Sequence, residues 1–367
     1  MSRPIQAIIH QNALQHNLSV ARQYSPHSSV FAVVKANAYG HGIERIYPAF
    51  KTADGFALLE INEAKRIREL GWTGKILLLE GVFQEAELME CAELNLQFTV
   101  HNEIQVEWLK RTHLDFKFDI FLKLNSGMNR LGFHPQRYHQ VWHELKHLNC
   151  VASITHMTHF SDADGERLNQ SGIDYQIQVF NQTVQPLGGA CSVSNSAAIL
   201  RHSTKLISDV VRSGIMLYGS SPDFPKHQIN DWNLRPTMSL RSEIIGIQHI
   251  EEHQSIGYGS TFFASKPMKV GIVACGYADG YQRMTKAGTP VLVNGLRTFI
   301  IGRVSMDMLT VDLTEVDDVE IGSEVVLWGN SKFGQVLSID EVASGSGTVG
   351  YELMCAVTAR VSYVIDD

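Results

Sequence analysis

From about residue 30 to 220 the chain alternates short apolar runs with segments of helical period. The runs lie at 31–34, 56–59, 76–79, 97–100, 119–124, 151–155, 190–193 and 209–211. They are largely continuous rather than alternating, which suits strands covered on both faces, as in a parallel sheet. Between them Ile43, Ile46, Tyr47 and Phe50 stand at i, i+3, i+4 and i+7, and Tyr138, Val141, Trp142 and Leu145 repeat the spacing. Ile173, Ile177, Phe180 and Val184 keep one face through a third segment. Each predicts an amphipathic helix with one stripe on a sheet. Eight strands alternating with helices predict an α/β fold, a closed (β/α)8 barrel of the TIM type, with an open doubly wound sheet as the alternative. Polar residues follow almost every run: Lys35, Glu60, Glu80, His101, Lys123 with Asn125, His156 and His159, Ser194 to Ser196, and Arg212. They converge on one face only if the sheet closes, which favours the barrel.

After about residue 233 the pattern changes. Short strand-like runs at 242–250, 269–274, 290–293, 298–301, 310–313 and 324–328 are separated by Gly, Pro and Asn. Asn294 followed by Gly295 is a strong hairpin signal between two of them. The expected domains are therefore a barrel over 1–232 and a mostly β domain over 233–367. The polar stretch 223–233, with Pro222 and Pro225 at its start, is the expected linker.

A chain of 367 residues, 44% hydrophobic, has room for both domains. Its formal charge of -7 argues against a nucleic-acid partner, which needs a basic footprint. No apolar run approaches the roughly 20 residues of a membrane span, and the first ten residues hold too short an apolar patch for a secretory signal. Five scattered cysteines without a Cys-x-x-Cys pair read as free thiols in a reducing, cytoplasmic setting.

The candidate chemistry lies at the ends of the predicted strands. Residues 33–42 read Val-Val-Lys-Ala-Asn-Ala-Tyr-Gly-His-Gly and put Lys35 at a strand end, where desolvation would free a nucleophilic amine for a Schiff base. An isolated strand-end lysine is more often simply exposed. Residues 191–198 pass into a helix through Ser and Asn, which is an N-cap and equally a seat for an anion. Residues 209–219 follow the eighth run, where barrels of this kind commonly bind phosphate, and Gly214 lets backbone come close. A phosphate seat opposite a Schiff-base lysine suggests pyridoxal phosphate. Arg130, in the loop after the fifth run, offers a clamp for a carboxylate or phenolate. In the β domain Tyr258 stands between two glycines, placed as a proton donor and acceptor or as a hydrophobic plug. His156 and His159 with Asp162 and Asp164 lack a zinc spacing, so no metal is expected.

Together these strings resemble the alanine racemase family, over essentially the whole chain and in family order. They are the Lys35 string, Gly-Met-Asn-Arg-Leu-Gly at 127–132, Gly-Tyr-Ala-Asp-Gly-Tyr at 276–281 and Arg-Val-Ser-Met-Asp at 303–307. The resemblance implies a bacterial isomerase in which Lys35 holds pyridoxal 5'-phosphate as a Schiff base. Tyr39, Ser196, Gly214, Ile215 and Tyr351 would surround the phosphate. Arg212 would face the pyridine nitrogen, with His159 against the ring. Arg130 would contact the cofactor phenolate and substrate carboxylate, and Met306, beside Asp307, would face the substrate. Lys35 and Tyr258 would flank Cα as two bases, Tyr258 coming from the second subunit of a homodimer. Tyr277 and Tyr281 would restrict the entrance. Lys123 matches a lysine carried as a carbamate, although Asn125 stands where the family usually has Asp. The implied reaction interconverts L- and D-alanine, supplying D-alanine for peptidoglycan or degrading it. Alternatives are a racemase of serine or another small amino acid and a non-catalytic pyridoxal-phosphate binder; a decarboxylase is disfavoured by Arg212.

Overall fold

The computed structural model describes residues 3–367. Met1 and Ser2, the start of the segment read above as too short for a signal, lie outside the described residues. The chain divides into two compact units. One is formed by Gln15–Ala38 and Gly42–Leu217; the other by the chain up to Leu14, Tyr39–His41 and Tyr218–Asp367.

The first unit is an eight-stranded parallel sheet built from Ser29–Val33, Gly55–Leu58, Lys75–Leu78, Gln97–Val100, Phe118–Lys123, Val151–Met157, Cys191–Ser192 and Val210–Ser213. Each strand corresponds to one of the apolar runs. The last pairs with the first, Arg212 opposite Phe31 and Ser213 opposite Ala32. The Asp209 amide donates to the Cys191 carbonyl (2.8 Å) and the Arg212 amide to Ser194 (3.0 Å), joining the seventh strand to the eighth. The sheet is therefore a closed barrel, and the open-sheet alternative falls. Phe31, Phe56, Phe98, Phe118 and Phe121 are buried in this unit. The helix Ile43–Phe50 buries Ile43, Ile46, Tyr47 and Phe50. Pro135–Lys146, begun by a proline whose missing N–H costs nothing there, buries Tyr138, Val141, Trp142 and Leu145. These are the stripes that the periodicity predicts.

The second unit is dominated by a nine-stranded sheet whose long strand Met238–Ile250 pairs with Gln6–His10, Glu324–Asn330 and Met268–Val273. Asn294 (φ 47°) and Gly295 (φ 80°) make the expected tight hairpin turn, with Val293 opposite Leu296. The expected boundary needs correcting at both ends. Gln6–His10 lies between Met238–Ile250, to which it is antiparallel, and Ser362–Asp366, to which it is parallel. The N-terminal strand therefore belongs with the β unit, not the barrel. The expected linker is a built loop rather than a tether. The buried Asp223 carboxylate accepts from Ser221 Oγ (3.1 Å), His227 Nδ1 (2.6 Å) and Trp232 Nε1 (3.0 Å), ordering the turn Ile229–Trp232. Among the described residues no helix is long and apolar enough to cross a membrane.

Close backbone approach fixes one loop at the strand ends of the barrel. Gly81 has φ +76°, and a Cβ there would lie 2.1 Å from the Thr99 carbonyl oxygen. Gly71, at φ +91°, faces open space. Gly81→Ala is expected to lower stability by about 2–3 kcal/mol, and Gly71→Ala by only about 1 kcal/mol. Urea denaturation of both variants checks the difference, and equal losses would contradict the steric reading.

Candidate active site

At the C-terminal ends of the barrel strands, the residue after Val34 is Lys35, half-buried, and the chain then turns the wrong way. Ala36, Asn37, Ala38 and Tyr39 all have left-handed backbones, with φ of 53°, 51°, 56° and 51°. For alanine or tyrosine that conformation costs roughly 1–2 kcal/mol each, whereas asparagine tolerates it better. The Ala38 amide donates to the Val34 carbonyl (2.8 Å), closing one left-handed turn against the catalytic-candidate lysine.

Arg212, 3% exposed, stands at the end of the eighth strand. Its Nη1 donates to the Ser192 carbonyl (2.7 Å) and Ser192 Oγ (2.5 Å). Its Nη2 donates to the Thr158 carbonyl (2.7 Å) and His159 Nδ1 (3.4 Å). These acceptors are all neutral. Burial pushes its pKa down to about 10, so the guanidinium stays charged at neutral pH. The guanidinium can only donate, and the Asn195 side-chain amide lies 3.5 Å from the other ring nitrogen, His159 Nε2. Burial, then the charges of Arg212, Lys123, Arg130 and Lys35, hold His159 well below its ordinary pKa of 6.5.

Lys123 is 6% exposed. Burial first, then repulsion from Arg212 and Arg130, pushes its pKa down to about 8, against an opposing pull from Glu80. Arg130 is carried on the next loop. Asn125 shapes that loop, its Oδ1 accepting from the amides of Gly127 (3.1 Å) and Asn129 (3.0 Å), its Nδ2 donating to Asn129 Oδ1 (3.1 Å). Four cations thus share one strand-end neighbourhood, a field that suits an anionic ligand.

Ser196 opens the helix Ser196–His202, which Asn195 caps by accepting from the Ala198 amide (3.0 Å). Ser196 Oγ accepts from the amides of Gly214 (2.9 Å) and Met216 (3.4 Å). Ile215, buried, begins the turn Ile215–Tyr218. The Ser196 hydroxyl hydrogen has no acceptor among the described residues, so an oxyanion could take it.

The remaining candidates belong to the β unit. Tyr39 stacks on Tyr218 (4.4 Å between centroids, 28°) and tilts against Tyr351 (5.8 Å). Burial raises the Tyr39 pKa, so its phenol stays protonated. Tyr258 is 75% exposed on a short turn, and Met306 is 53% exposed. Tyr277 and Met306 sit on loops joined by backbone: the Tyr277 amide donates to Ser305 and the Ala278 amide to Met306, both at 3.0 Å. The buried Asp279 carboxylate locks this pair. It accepts from Arg3 (3.1 Å), from Arg360 Nε (2.7 Å) and from the Gly276 amide (2.9 Å), while Arg360 Nη2 reaches Asp307 Oδ1 (2.6 Å). Arg3 also donates to the Asp307 carbonyl.

One sequence expectation fails here. Tyr281 is 1% exposed, its ring parallel to Trp328 (6.2 Å, 15°), so it is core and does not line an entrance. A Gly-Tyr pair gives no local sign of which face its ring takes. The sequence reading also passed over Asp279, Arg360 and Arg3, whose convergence spans the chain from end to end. His156 is occupied structurally, held by Tyr138 Oη (2.9 Å) and the Gly188 carbonyl (2.9 Å). Among the described residues no three His, Cys, Asp or Glu side chains gather as a metal site.

A closed parallel barrel with an amine at its first strand end, a cationic mouth and a separate β unit define a class of two-unit barrel enzymes. Residues 9–222 match the family model for the alanine racemase N-terminal domain, and residues 237–365 that for the C-terminal domain. The chain belongs to the alanine racemase family. It is 65% identical to an alanine racemase of Acinetobacter baumannii (strain SDF), over 99% of each chain, and 54% identical to one of Acidovorax sp. (strain JS42), over 100% of each. The crystal structure of the biosynthetic alanine racemase from Pseudomonas aeruginosa superposes with a TM-score of 0.93 at 40% identity, covering 100% of both chains. An alanine racemase structure from Acinetobacter baumannii follows at 0.91 and 37%, covering 99% of this chain and 100% of that one.

Five buried or half-buried histidines give the protein an acid limit. Burial, the leading cause in each case, lowers the pKa of His10, His101, His156, His159 and His202 from 6.5. Below that value the unfolded chain takes up protons that the folded chain refuses, so stability is full above about pH 6.5 and falls as pH drops. Thermal midpoints measured from about pH 7.5 to 5 should decline, and His159→Gln should make the decline shallower. An unchanged slope in that variant would mean His159 is protonated when folded.

Proposed function

We infer that this chain is an alanine racemase, an isomerase interconverting L- and D-alanine, with pyridoxal phosphate carried on Lys35. The observation that carries the cofactor reading is the cluster of Lys35, Lys123, Arg130 and Arg212 around a neutral His159. Such a mouth fits a phosphorylated ring and a substrate carboxylate. Lys35 would hold the group, Ser196, Gly214 and Ile215 its phosphate, Arg212 its ring nitrogen, His159 its face and Arg130 its phenolate and the substrate carboxylate. Tyr39 and Tyr351 keep the role of phosphate contacts that the family resemblance gives them. Bound there, pyridoxal phosphate supplies an electron sink that makes the Cα–H bond of an amino acid acidic.

The protein then has to move protons. Inversion at Cα removes a proton from one face and returns one to the other, which calls for two bases. Lys35 Nζ serves one face and Tyr258 Oη the other, exchanging the tasks of acceptor and donor when the direction reverses. An exposed Tyr258 on the β unit suits service to the site of a second copy, so the working enzyme is a homodimer. Arg212, charged at neutral pH, offers a ring nitrogen a hydrogen bond but not its proton. A ring nitrogen held this way would draw less charge from Cα, which would favour prompt reprotonation there over side reactions. Met306 and Tyr277, cross-linked through Asp279, bound the substrate side. Five free cysteines suit a reducing cytoplasm. The D-alanine formed would serve peptidoglycan precursors, or the flux would run toward its degradation.

Lys123 is suited to carbamylation. With a pKa of about 8, part of the population is an uncharged amine at neutral pH. Its Nζ forms a bond to the carbon of CO2 and loses one proton to solvent, leaving an anion beside Arg130.

Two experiments test these roles. In D2O with L-alanine, optical rotation should decay to zero as deuterium replaces the Cα proton. Lys35→Ala should lose the bound cofactor's colour, whereas Tyr258→Phe should keep it and lose turnover about 100-fold or more. Racemisation at the parent rate in both directions would remove Tyr258 from the chemistry. Separately, the enzyme in 13C-bicarbonate should show a carbamate carbon resonance that disappears in Lys123→Ala. Persistence of the resonance would place the carbamate elsewhere.

A further inference from the structure

The left-handed turn after Lys35 has no support in its own sequence apart from Asn37. Alanine at 36 and 38 prefers the right-handed helix, so the conformation has to be imposed by neighbours. Asn37 is where it is gripped. Its amide donates to Glu63 Oε1 at 2.6 Å, and its carbonyl accepts from the Gly42 amide at 2.9 Å. Its Oδ1 accepts from Arg66 Nη2 at 2.9 Å and from the Ile43 amide at 3.3 Å. Arg66 is itself fixed by Glu44, Nε to Oε1 at 2.7 Å and Nη2 to Oε2 at 2.6 Å.

Glu63 is the unusual member. It lies in the first turn of the helix Ile61–Glu69, buried, and its Oε2 has no partner among the described residues. Its carboxylate also feels the Glu60 backbone N–H at the start of its own helix and the charge of Arg66, both of which favour the ionised form. Burial also raises its pKa, a sign that the folded state tolerates rather than profits from its charge. The contacts to Glu60 and the helix start serve the helix, whereas the hydrogen bond to the Asn37 amide reaches out of the helix to the turn after Lys35.

We propose that Glu63, assisted by Arg66, is a positioning residue that keeps residues 36–39 left-handed and thereby sets the direction in which Lys35 presents its amine. The proposal rests on Lys35 being the amine that carries the cofactor and works at Cα. Without the Asn37 grip the turn relaxes toward ordinary backbone, and Lys35 Nζ leaves the line of the Cα–H bond. Binding of alanine, which depends on other residues, changes little.

The test uses the holoenzyme and counts sites by borohydride trapping of the cofactor on Lys35, located by peptide mapping. Glu63→Ala should still trap cofactor at Lys35, but kcat per trapped site should fall about tenfold or more, with KM within about threefold. Circular dichroism in the cofactor band, which reports the orientation of the bound ring, should change. Glu63→Gln, which keeps an oxygen acceptor, should recover most of kcat and the parent spectrum. Ala36→Gly placed in the Glu63→Ala background should restore part of the loss, because glycine adopts the left-handed region without strain. If Glu63→Ala does not fold, Arg66→Met, which removes the grip on Asn37 Oδ1 together with the exposed pair to Glu44, should show a smaller loss of the same kind. A lowered thermal midpoint with unchanged kcat per site and unchanged dichroism would overturn the proposal and leave Lys35 in place. Trapping at another lysine in the parent enzyme would overturn the reading of Lys35 itself.

Discussion

The buried guanidinium of Arg212 is the constraint from which the mouth of the barrel follows. A charge taken out of water needs compensation, and here it comes from carbonyl and hydroxyl oxygens, not from a carboxylate. Those oxygens belong to Ser192, at the end of the seventh strand, and Thr158, just past the end of the sixth. They point at one side chain on the eighth strand only because the sheet is closed. Had an aspartate been supplied instead, its negative charge would have been felt by every titrating group nearby. Its absence leaves the field positive, and burial first, then that field, keep His159 neutral and lower the Lys123 pKa to about 8. Ring closure, charge balance and protonation state are therefore one chain of cause.

A second cost is stored in the backbone. The turn at 36–39 is left-handed at three residues with no preference for that conformation. Strain of this kind persists only where surrounding contacts over-determine it. Gly40 follows with φ +78°, and a Cβ there would lie 2.2 Å from the Met354 carbonyl oxygen, so the chain after the turn admits no larger residue. The Lys-Ala-Asn-Ala-Tyr-Gly string thus has a mechanical meaning beside its value as a family marker. The small residues keep the reversed turn free of side-chain clashes, and the asparagine gives neighbours something to hold.

What was legible in the sequence was what local pattern controls. All eight barrel strands and two of the helical stripes are written in runs and periods of a few residues, the third stripe holds at Ile173, Phe180 and Val184 but leaves Ile177 half-buried, and Asn294-Gly295 announces its own turn. The strand Gln6–His10 could not be assigned this way, because its partners lie more than two hundred residues on. Asp223 looked like linker composition, since three donors meeting on one carboxylate leave no trace in hydropathy. The same holds for Asp279, which draws Arg3 and Arg360 from opposite ends of the chain. Tyr281 was misplaced because a Gly-flanked tyrosine reads alike whether it faces solvent or packs on Trp328. The candidate residues at strand ends could be nominated because barrel topology fixes their direction; on the β unit Tyr258 stood out for its flanking glycines, and the others had only family likeness to stand on. The left-handed turn was invisible because alanine carries no signal for it.

The cation cluster also constrains what can enter the mouth and in what order. An anion arriving beside Lys123 and Arg130 makes the charged form of Lys123 more favourable, so its binding draws a proton in. A carbamate on the same nitrogen has the opposite effect, because it replaces a variable positive charge with a fixed negative one beside Arg130. The two states compete for one amine, and only the carbamate leaves Arg130 held and the neighbouring charge constant with pH. A site that must receive a carboxylate substrate many times, with its proton inventory reserved for Cα, gains from the constant alternative. Asn125 is consistent with that division. Its amide builds the loop that carries Arg130 with the same Oδ1 acceptor an aspartate would use, which leaves the negative charge to the carbamate proposed on Lys123.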